Sequence, residues 1–314
     1  MSWLRVLAYH RVADLNRTQG LHPGLISATP DEFARQAAHL AEHYDVLTMA
    51  EVLEAIRRKG SLPESATLIT FDDGYSDFCD HAWPILKHYN LPATIFIPTA
   101  FPGEPQRLFW WDRLFQAIVC SSRERASLPA TFDDRLQELK RVQSYVKTMP
   151  HDRAMETVDA IANEHGVSPK GRKSTLGWSE LRHLMREGLT VAAHTCNHPI
   201  LTQTPLYRAR EEIRGSIEDL ERELGSVLPV FCYPNGNSNE PIKRILREEG
   251  IDLAFGLGCG FNDLDRPDPW ELHRIPITRR TTTFIFRLRL LRLFRSLDQW
   301  RHRRKNARSR SASW

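Results

Sequence analysis

The amino-acid sequence predicts an α/β protein with about seven strands, and three observations support this class. Short apolar runs alternate with helical patterns over the first hundred residues and again after residue 177. The 314 residues are 41% hydrophobic and 26% charged, an ordinary composition for a chain that buries a large core. The alternation contains no internal sequence repeat. Periodicity alone leaves two architectures open, a β/α barrel and an open doubly wound sheet.

The predicted elements follow one another in a regular order. Strands are predicted at residues 4–9, 67–71, 93–98, 189–194, 227–233, 251–255 and 272–277. Helices are predicted at residues 30–44, 49–59, 75–89, 178–187, 206–224 and 240–249. Between them, residues 101–177 have charge-rich helical stretches at 132–148 and 152–165 and no strand pattern, which predicts a helical insertion within a domain spanning residues 1–283.

The net charge of +4 hides an asymmetry between the body and the C-terminus. Residues 279–314 hold 12 Arg and Lys residues and one acid, Asp298, so the preceding residues have an acidic balance. An acidic body argues against a nucleic-acid-binding core. The first ten residues lack the basic start and apolar stretch of a secretory signal, and no segment is apolar enough to span a membrane. We therefore expect a cytoplasmic location.

Residues 284–314 are predicted to form a basic amphipathic helix followed by a disordered tail. Wound as a helix, this segment places Arg289 and Arg292 on one side and Phe286 and Leu290 on the other. Two interpretations stay open. The helix either contacts anionic lipid at the inner face of the membrane or packs on the barrel as an ordinary terminal helix.

Two adjacent acids, Asp72 and Asp73, end the strand predicted at residues 67–71, and Gly74 follows them. Side chains alternate along an extended chain, so the two carboxylates cannot both point the same way. One can face a metal ion while the other faces the substrate. An Asp-Gly turn with solvated acids is the alternative.

Two histidines four residues apart end the strand predicted at residues 189–194. His194 lies at the strand end and His198 lies in the segment after it. Two imidazoles and one carboxylate form a ligand set that leaves coordination positions open for water. Because the acid pair and the histidine pair end two strands of one α/β domain, a shared metal site is favoured over two sets of capping residues.

Two further strand ends carry weaker signals. The Pro-Asn-Gly run at residues 234–236 predicts a tight turn, which can also aim a backbone N–H at developing negative charge. His273 lies on the last predicted strand. It either protonates a leaving amine near neutral pH or has a structural role.

These motifs, in this order and spacing, resemble the polysaccharide deacetylase family, carbohydrate esterase family four. Residues 70–74 are similar to the family's first motif, residues 194–198 to its His-Ser/Thr-x-x-His second motif, and residues 233–236 to a variant of its third motif. Weaker matches near residues 7–12 and 274–276 extend the resemblance over most of residues 4–283.

The resemblance implies a distorted β/α barrel that binds Zn²⁺ or another divalent ion such as Co²⁺ or Ni²⁺. It implies Asp73, His194 and His198 as metal ligands. Asp72 is then the general base, and the backbone N–H of Asn235 faces the oxyanion. The implied reaction removes an N-acetyl group from an amino sugar of a cell-envelope glycan or a lipid-linked saccharide.

Further roles are assigned on the same resemblance. His10, Tyr233 and Trp110 are candidate substrate-binding residues, and His273 is the candidate acid. A capping role is the alternative for His10. Trp110 and Trp111 either stack on a sugar ring or pack the insertion onto the barrel.

The third motif departs from the family pattern. Cys232 stands where Arg is common and Asn235 where Tyr is common, so the partner that orients Asp72 must come from elsewhere in the chain. Two alternative functions stay open: a deformylase or other C–N hydrolase on the same scaffold, and a catalytically silent glycan-binding relative. Retention of both acids and both histidines favours the enzyme.

Overall fold

The computed structural model describes residues 3–14, 21–120, 131–258, 260–265 and 267–291. The strands are β1 (Trp3–Tyr9), β2 (Arg11–Val12), β3 (Ile26–Ala28), β4 (Thr67–Asp72), β5 (Thr94–Ile97), β6 (Thr190–Ala193), β7 (Val230–Cys232), β8 (Leu253–Phe255), β9 (Phe261–Asp263) and β10 (Ile275–Pro276). The helices are α1 (Pro30–His43), α2 (Met49–Arg57), α3 (Trp83–His88), α4 (Trp110–Phe115), α5 (Phe132–Val146), α6 (His151–Glu164), α7 (Trp178–Arg186), α8 (Leu206–Leu224), α9 (Glu240–Glu248) and α10 (Thr283–Leu290).

Seven strands form one curled parallel sheet in the order β10-β1-β4-β5-β6-β7-β8, with β9 antiparallel to β1. At the open side, Leu272 bridges in parallel to Phe255 of β8, and the Gly256 N–H donates to the Leu272 carbonyl. The sheet therefore curls into a distorted barrel surrounded by helices, which confirms the predicted fold class. All seven predicted strands are present. The sequence patterns missed β2, β3 and β9, because two or three residues are too short to show a period.

Side chains along the strands alternate between two apolar cores. The inner core fills the barrel with Leu4, Val6, Leu68, Phe96, Ala192, Val230, Leu253 and Phe255. The outer core packs the other strand face against helices and contains Leu7, Ile69, Phe71, Ile95, Val191, Phe231, Leu181 and Ile213. This alternation decides which residues of each motif reach the interior at the strand ends.

The segment predicted as a helical insertion contains α4, α5 and α6, and its described residues form no named strand. The three helices share a separate apolar core that includes Leu114, Leu139 and Val158. Hydrogen bonds attach this unit to the barrel: the Tyr75 hydroxyl donates to Asp112 at 2.9 Å, and the Trp111 indole donates to Tyr75 at 2.7 Å. The division into domains stays a prediction.

The predicted C-terminal helix corresponds to α10, which Thr282 caps by accepting a hydrogen bond from the Ile285 N–H. Phe286 and Leu290 are fully buried, and α10 packs against α1. Phe284 remains 70% exposed. The rest of the predicted tail, residues 292–314, lies outside the described residues. Within the described chain, no helix has the length and apolar character needed to cross a bilayer.

Candidate active site

The first motif enters the site through the end of β4. Asp72 lies four residues after Leu68 on β4, so the two side chains share the inward strand face. The backbone then reverses through Asp73 and Gly74, whose φ values are +72° and +67°. Glycine adopts this left-handed backbone without strain, and a Cβ at position 74 would lie 2.5 Å from Ile97 Cδ1, so a larger residue would have to displace the end of the Ile97 side chain. This turn is how two adjacent carboxylates both reach the same cavity.

Asp73, His194 and His198 converge on one point. The Oδ1 atom of Asp73 lies 3.8 Å from His194 Nε2 and 3.4 Å from His198 Nε2. This oxygen is buried and has no hydrogen-bond donor within the described chain. A buried carboxylate oxygen without a donor is costly, and a cation between it and the two imidazoles would supply the missing interaction. The residues therefore fit a divalent metal ion.

A second set of donors, Asp72, His194 and Cys232, also lies close together. It is less suited to a metal, because the guanidinium of Arg274 already donates to both oxygens of Asp72. His194 Nδ1 lies 2.7 Å from the Cys232 carbonyl, which leaves Nε2 with its lone pair toward Asp73. The geometry thus separates the two acids: Asp73 faces the metal position, and Asp72 stands beside it.

Arg274 is the partner of Asp72 that the altered third motif left open. Its Nη1 and Nη2 atoms each donate to one carboxylate oxygen at 2.7 Å, and Nη1 also donates to Thr70 Oγ1 at 3.1 Å. Arg274 is 1% exposed. In the sequence, Arg274 belongs only to the weak family match at residues 274–276. The alternation along the strand predicted at residues 272–277 contains the missed signal, because Leu272 and Arg274 share the inward face.

The two acids have pKa values shifted in opposite directions. Burial opposes ionisation of Asp72, but the Arg274 guanidinium outweighs it and holds the pKa of that carboxyl well below its usual range. Burial and the neighbouring charge of Asp72 raise the pKa of Asp73 well above its usual range. A bound cation would reverse the second effect, since positive charge favours the ionised carboxylate.

The imidazoles are held neutral. Burial lowers the pKa of His194 to about 4, and burial followed by the proximity of His194 lowers the pKa of His198 well below its usual value. Both rings therefore keep lone pairs available to a metal at neutral pH.

Glu212 of α8 fixes the loop between the two histidines. Its carboxylate accepts hydrogen bonds from the backbone N–H groups of Cys196 and Asn197 at 2.9 and 2.8 Å, and from the Asn197 side chain at 2.8 Å. The loop needs this support because Thr195 and His198 have φ values of +68° and +61°. Glu212 is not among the predicted site residues, because no sequence motif singles it out.

A cavity of about 310 Å³ lies above these groups. Seven of the nine predicted site residues line it: His10, Asp72, Asp73, Trp110, His194, His198 and Asn235. His10 Nε2 lies 4.0 Å from Asp72 Oδ2. Asn235 has a φ of +58° in its turn, and its side-chain oxygen accepts a hydrogen bond from Lys147 at 2.7 Å.

Tyr233 and His273 do not line the cavity, and their predicted roles in substrate binding and acid catalysis require correction. Tyr233 is 1% exposed, belongs to the outer core, and donates its hydroxyl proton to the Trp270 carbonyl at 2.6 Å. The His273 backbone pairs with the Asn262 side chain, and its ring lies over Gly258. In both segments the preceding residue faces the barrel interior. Because side chains alternate along an extended chain, Tyr233 and His273 point outward.

The two tryptophans of the insertion have different environments. Trp111 is buried, and its ring lies 4.7 Å from that of His198. Its packing agrees with the structural alternative. Trp110 is half-buried and lines the cavity, so it is placed where a sugar ring could stack.

Known proteins resemble this chain in sequence and in fold. The sequence profile described as polysaccharide deacetylase matches residues 59–118 and 121–254. The chain belongs to this family. It is 35% identical over 268 residues to the poly-β-1,6-N-acetyl-D-glucosamine N-deacetylase of Escherichia coli K12, which covers 83% of this chain and 35% of that protein. The chain thus spans about a third of the length of this relative.

Two solved structures of deacetylases share the fold. The Streptococcus pyogenes deacetylase PplD in complex with acetate superposes with a TM-score of 0.64 at 19% identity and covers 92% of this chain and 98% of its own. IcaB from Ammonifex degensii has a TM-score of 0.60 at 20% identity, with 93% of this chain and 98% of its own covered. At 19–20% identity, these two structures show a shared fold alone.

Proposed function

We propose that the protein hydrolyses the N-acetyl group of an amino sugar in a cell-envelope glycan. The observation that carries the proposal is the position of Asp72, paired with Arg274, beside the Asp73, His194 and His198 cluster in one cavity. The E. coli relative, named as acting on poly-β-1,6-N-acetyl-D-glucosamine, suggests a β-1,6-linked polymer of N-acetylglucosamine as the first substrate to assay.

The residues present support a general-base reaction. A divalent ion held by Asp73, His194 and His198 would lower the pKa of water and polarise the acetyl carbonyl. Asp72, kept ionised by Arg274, accepts a proton from the attacking water. The backbone N–H of Asn235 is the proposed donor to the oxygen that gains negative charge. One water is consumed: Asp72 passes the proton to the leaving nitrogen, the amide C–N bond breaks, and acetate and a free amino sugar are released.

We propose Zn²⁺ as the resident ion. Two imidazole nitrogens and one carboxylate oxygen suit Zn²⁺, with Co²⁺ and Ni²⁺ as substitutes. Elemental analysis of the purified protein tests this directly. About one equivalent of zinc supports the proposal, and a different stoichiometric metal contradicts it.

The activity test is acetate release from a β-1,6-linked N-acetylglucosamine trimer, comparing the wild type with Asp72→Asn. Acetate release by the wild type, lost in the variant, supports the proposal. Formate release from the N-formyl analogue alone would assign the protein as a deformylase. Binding of the trimer without release of acid would assign it as a glycan-binding relative.

We also infer that the C-terminal region attaches the protein to an anionic membrane surface. On α10, Phe284 and Ile285 are exposed beside Arg287, while Phe286 and Leu290 anchor the helix to the barrel. An apolar pair flanked by arginine suits the interface of a membrane with anionic headgroups. Flotation with vesicles containing phosphatidylglycerol should recover the wild type, with reduced recovery for a Phe284→Ser, Arg287→Gln variant. Equal recovery of both contradicts the inference. The cytoplasmic location stays a prediction, which cell fractionation tests.

A further inference from the structure

One wall of the cavity is basic and belongs to the insertion. Lys140, Gln143 and Lys147 follow one another at spacings of three and four along and just past α5, so they share one face. All three line the cavity that contains Asp72 and Asp73. We call these three residues the lysine wall.

With a metal ion bound, the cavity surface would carry more positive than negative charge. Asp72 and Asp73 are the only acidic residues of the described chain that line the cavity. Arg274 already neutralises Asp72, and Asp73 is a ligand for the cation. Lys140 therefore adds positive charge that neither of these two carboxylates offsets.

Lys140 and Lys147 differ in what they contact. Lys140 is exposed and makes no ion pair with any described carboxylate, whereas Lys147 donates to the side chain of Asn235. Their charge also acts on His22: burial is the main cause that lowers the pKa of His22 to about 4, and the charges of Arg11, Lys147 and Lys140 add to this effect. Positive charge inside a concave surface concentrates anions there.

We propose that the lysine wall is a subsite for an anionic oxygen group, a phosphate or a carboxylate, carried by the substrate saccharide. This inference rests on the proposed deacetylation and narrows its substrate class to an N-acetylated saccharide with negative charge close to the reacting sugar. The volume of 310 Å³ is near the lower limit of about 300 Å³ for ligand cavities, so the lysines and the acids face parts of one short saccharide.

The experiment compares three forms of the β-1,6-linked N-acetylglucosamine trimer: the neutral form, one with a 6-phosphate on the terminal sugar, and one ending in glucuronic acid. The measured quantity is the ratio of kcat/KM for each anionic form to that for the neutral form. We expect a wild-type ratio above one for at least one anionic form, and the form with the higher ratio identifies the group. Lys140→Gln should lower this ratio by about 2–5-fold, the effect of one partly solvated ion pair.

Arg244→Gln is the matched control, because Arg244 is an exposed helical cation that does not line the cavity. It should keep the wild-type ratio. A wild-type ratio of one or less for both anionic forms overturns the inference, and so does a ratio that Lys140→Gln leaves unchanged. Calorimetric titration of the Asp72→Asn variant with the same trimers separates the two proposals. Absence of acetate release refutes the deacetylase, whereas equal Kd values for neutral and anionic trimers refute the subsite.

Discussion

The barrel side and the insertion side of the cavity are built in different ways. On the barrel side, Asp72, His194 and Arg274 lie at strand ends and are at most 4% exposed. On the insertion side, Lys140 and Lys147 project from an exposed helix with its own small core. Strand register and burial hold side chains to a fixed geometry, which bond-breaking chemistry requires. Exposed helical side chains are adjustable, which suits recognition of a substrate.

The largest expected effect comes from removing a metal ligand on the barrel side. Asp73→Asn and His198→Ala should each lose the bound ion, and activity should fall by several orders of magnitude because water is no longer activated. Elemental analysis with acetate release measures both effects. His183→Ala, an exposed histidine of α7, is the control and should retain the metal. Stoichiometric metal in both ligand variants would place the ion elsewhere.

Arg274→Met should produce the next largest effect. Loss of one partner of a buried ion pair costs about 3–5 kcal/mol of unfolding free energy. Arg274 holds the folded-state pKa of Asp72 below its unfolded value of about 3.9. The pair therefore stabilises the wild type fully above that value, and the stabilisation is lost as pH falls through the folded-state pKa.

In Arg274→Met the pKa of Asp72 should rise, so the acidic limb of the pH–rate profile should move to higher pH. Denaturant unfolding measured from pH 2 to 8 and kcat/KM measured from pH 4 to 8 test the two consequences. Arg244→Met serves as the exposed control. An acidic limb identical to that of the wild type would show that Asp72 is not the titrating base.

Glu212→Gln should weaken the metal site without removing a ligand. A glutamine keeps the size but cannot accept all three hydrogen bonds that Glu212 receives, so the loop that carries His198 should lose its fixed position. Metal affinity should fall by about 10–100-fold. Competition with a chromogenic chelator measures it. The neighbouring exposed Glu211→Gln should bind as the wild type, and equal affinity of both variants would assign Glu212 no positioning role.

The smallest effect is expected on the insertion side. Trp110→Ala should raise KM for the trimer by about 3–10-fold through loss of stacking, with metal content preserved. Tyr145→Ala removes an exposed aromatic residue of the same insertion that does not line the cavity, and it should leave KM unchanged. If KM is also unchanged in Trp110→Ala, the residue only packs the insertion.

The sequence by itself determined the alternation of strands and helices, the helices of the insertion, and the acid and histidine pairs at two strand ends. These features are local, because a strand's period and the residue that ends it are set by neighbours in the chain. The same period of two contained the information that Tyr233 and His273 face outward. Both residues match motif positions, but the strand face determines where a side chain lies, and theirs is the outer face.

Only the tertiary structure decided which distant groups support the local motifs. Arg274 meets Asp72 across 202 positions of sequence because β10 pairs with β1, and β1 pairs with β4. Glu212 reaches the histidine loop because α8 packs beside β6. The lysine wall faces the acids because the insertion folds back over the strand ends. Such contacts depend on strand order and helix packing. Neither can be read from the spacing of residues along the chain.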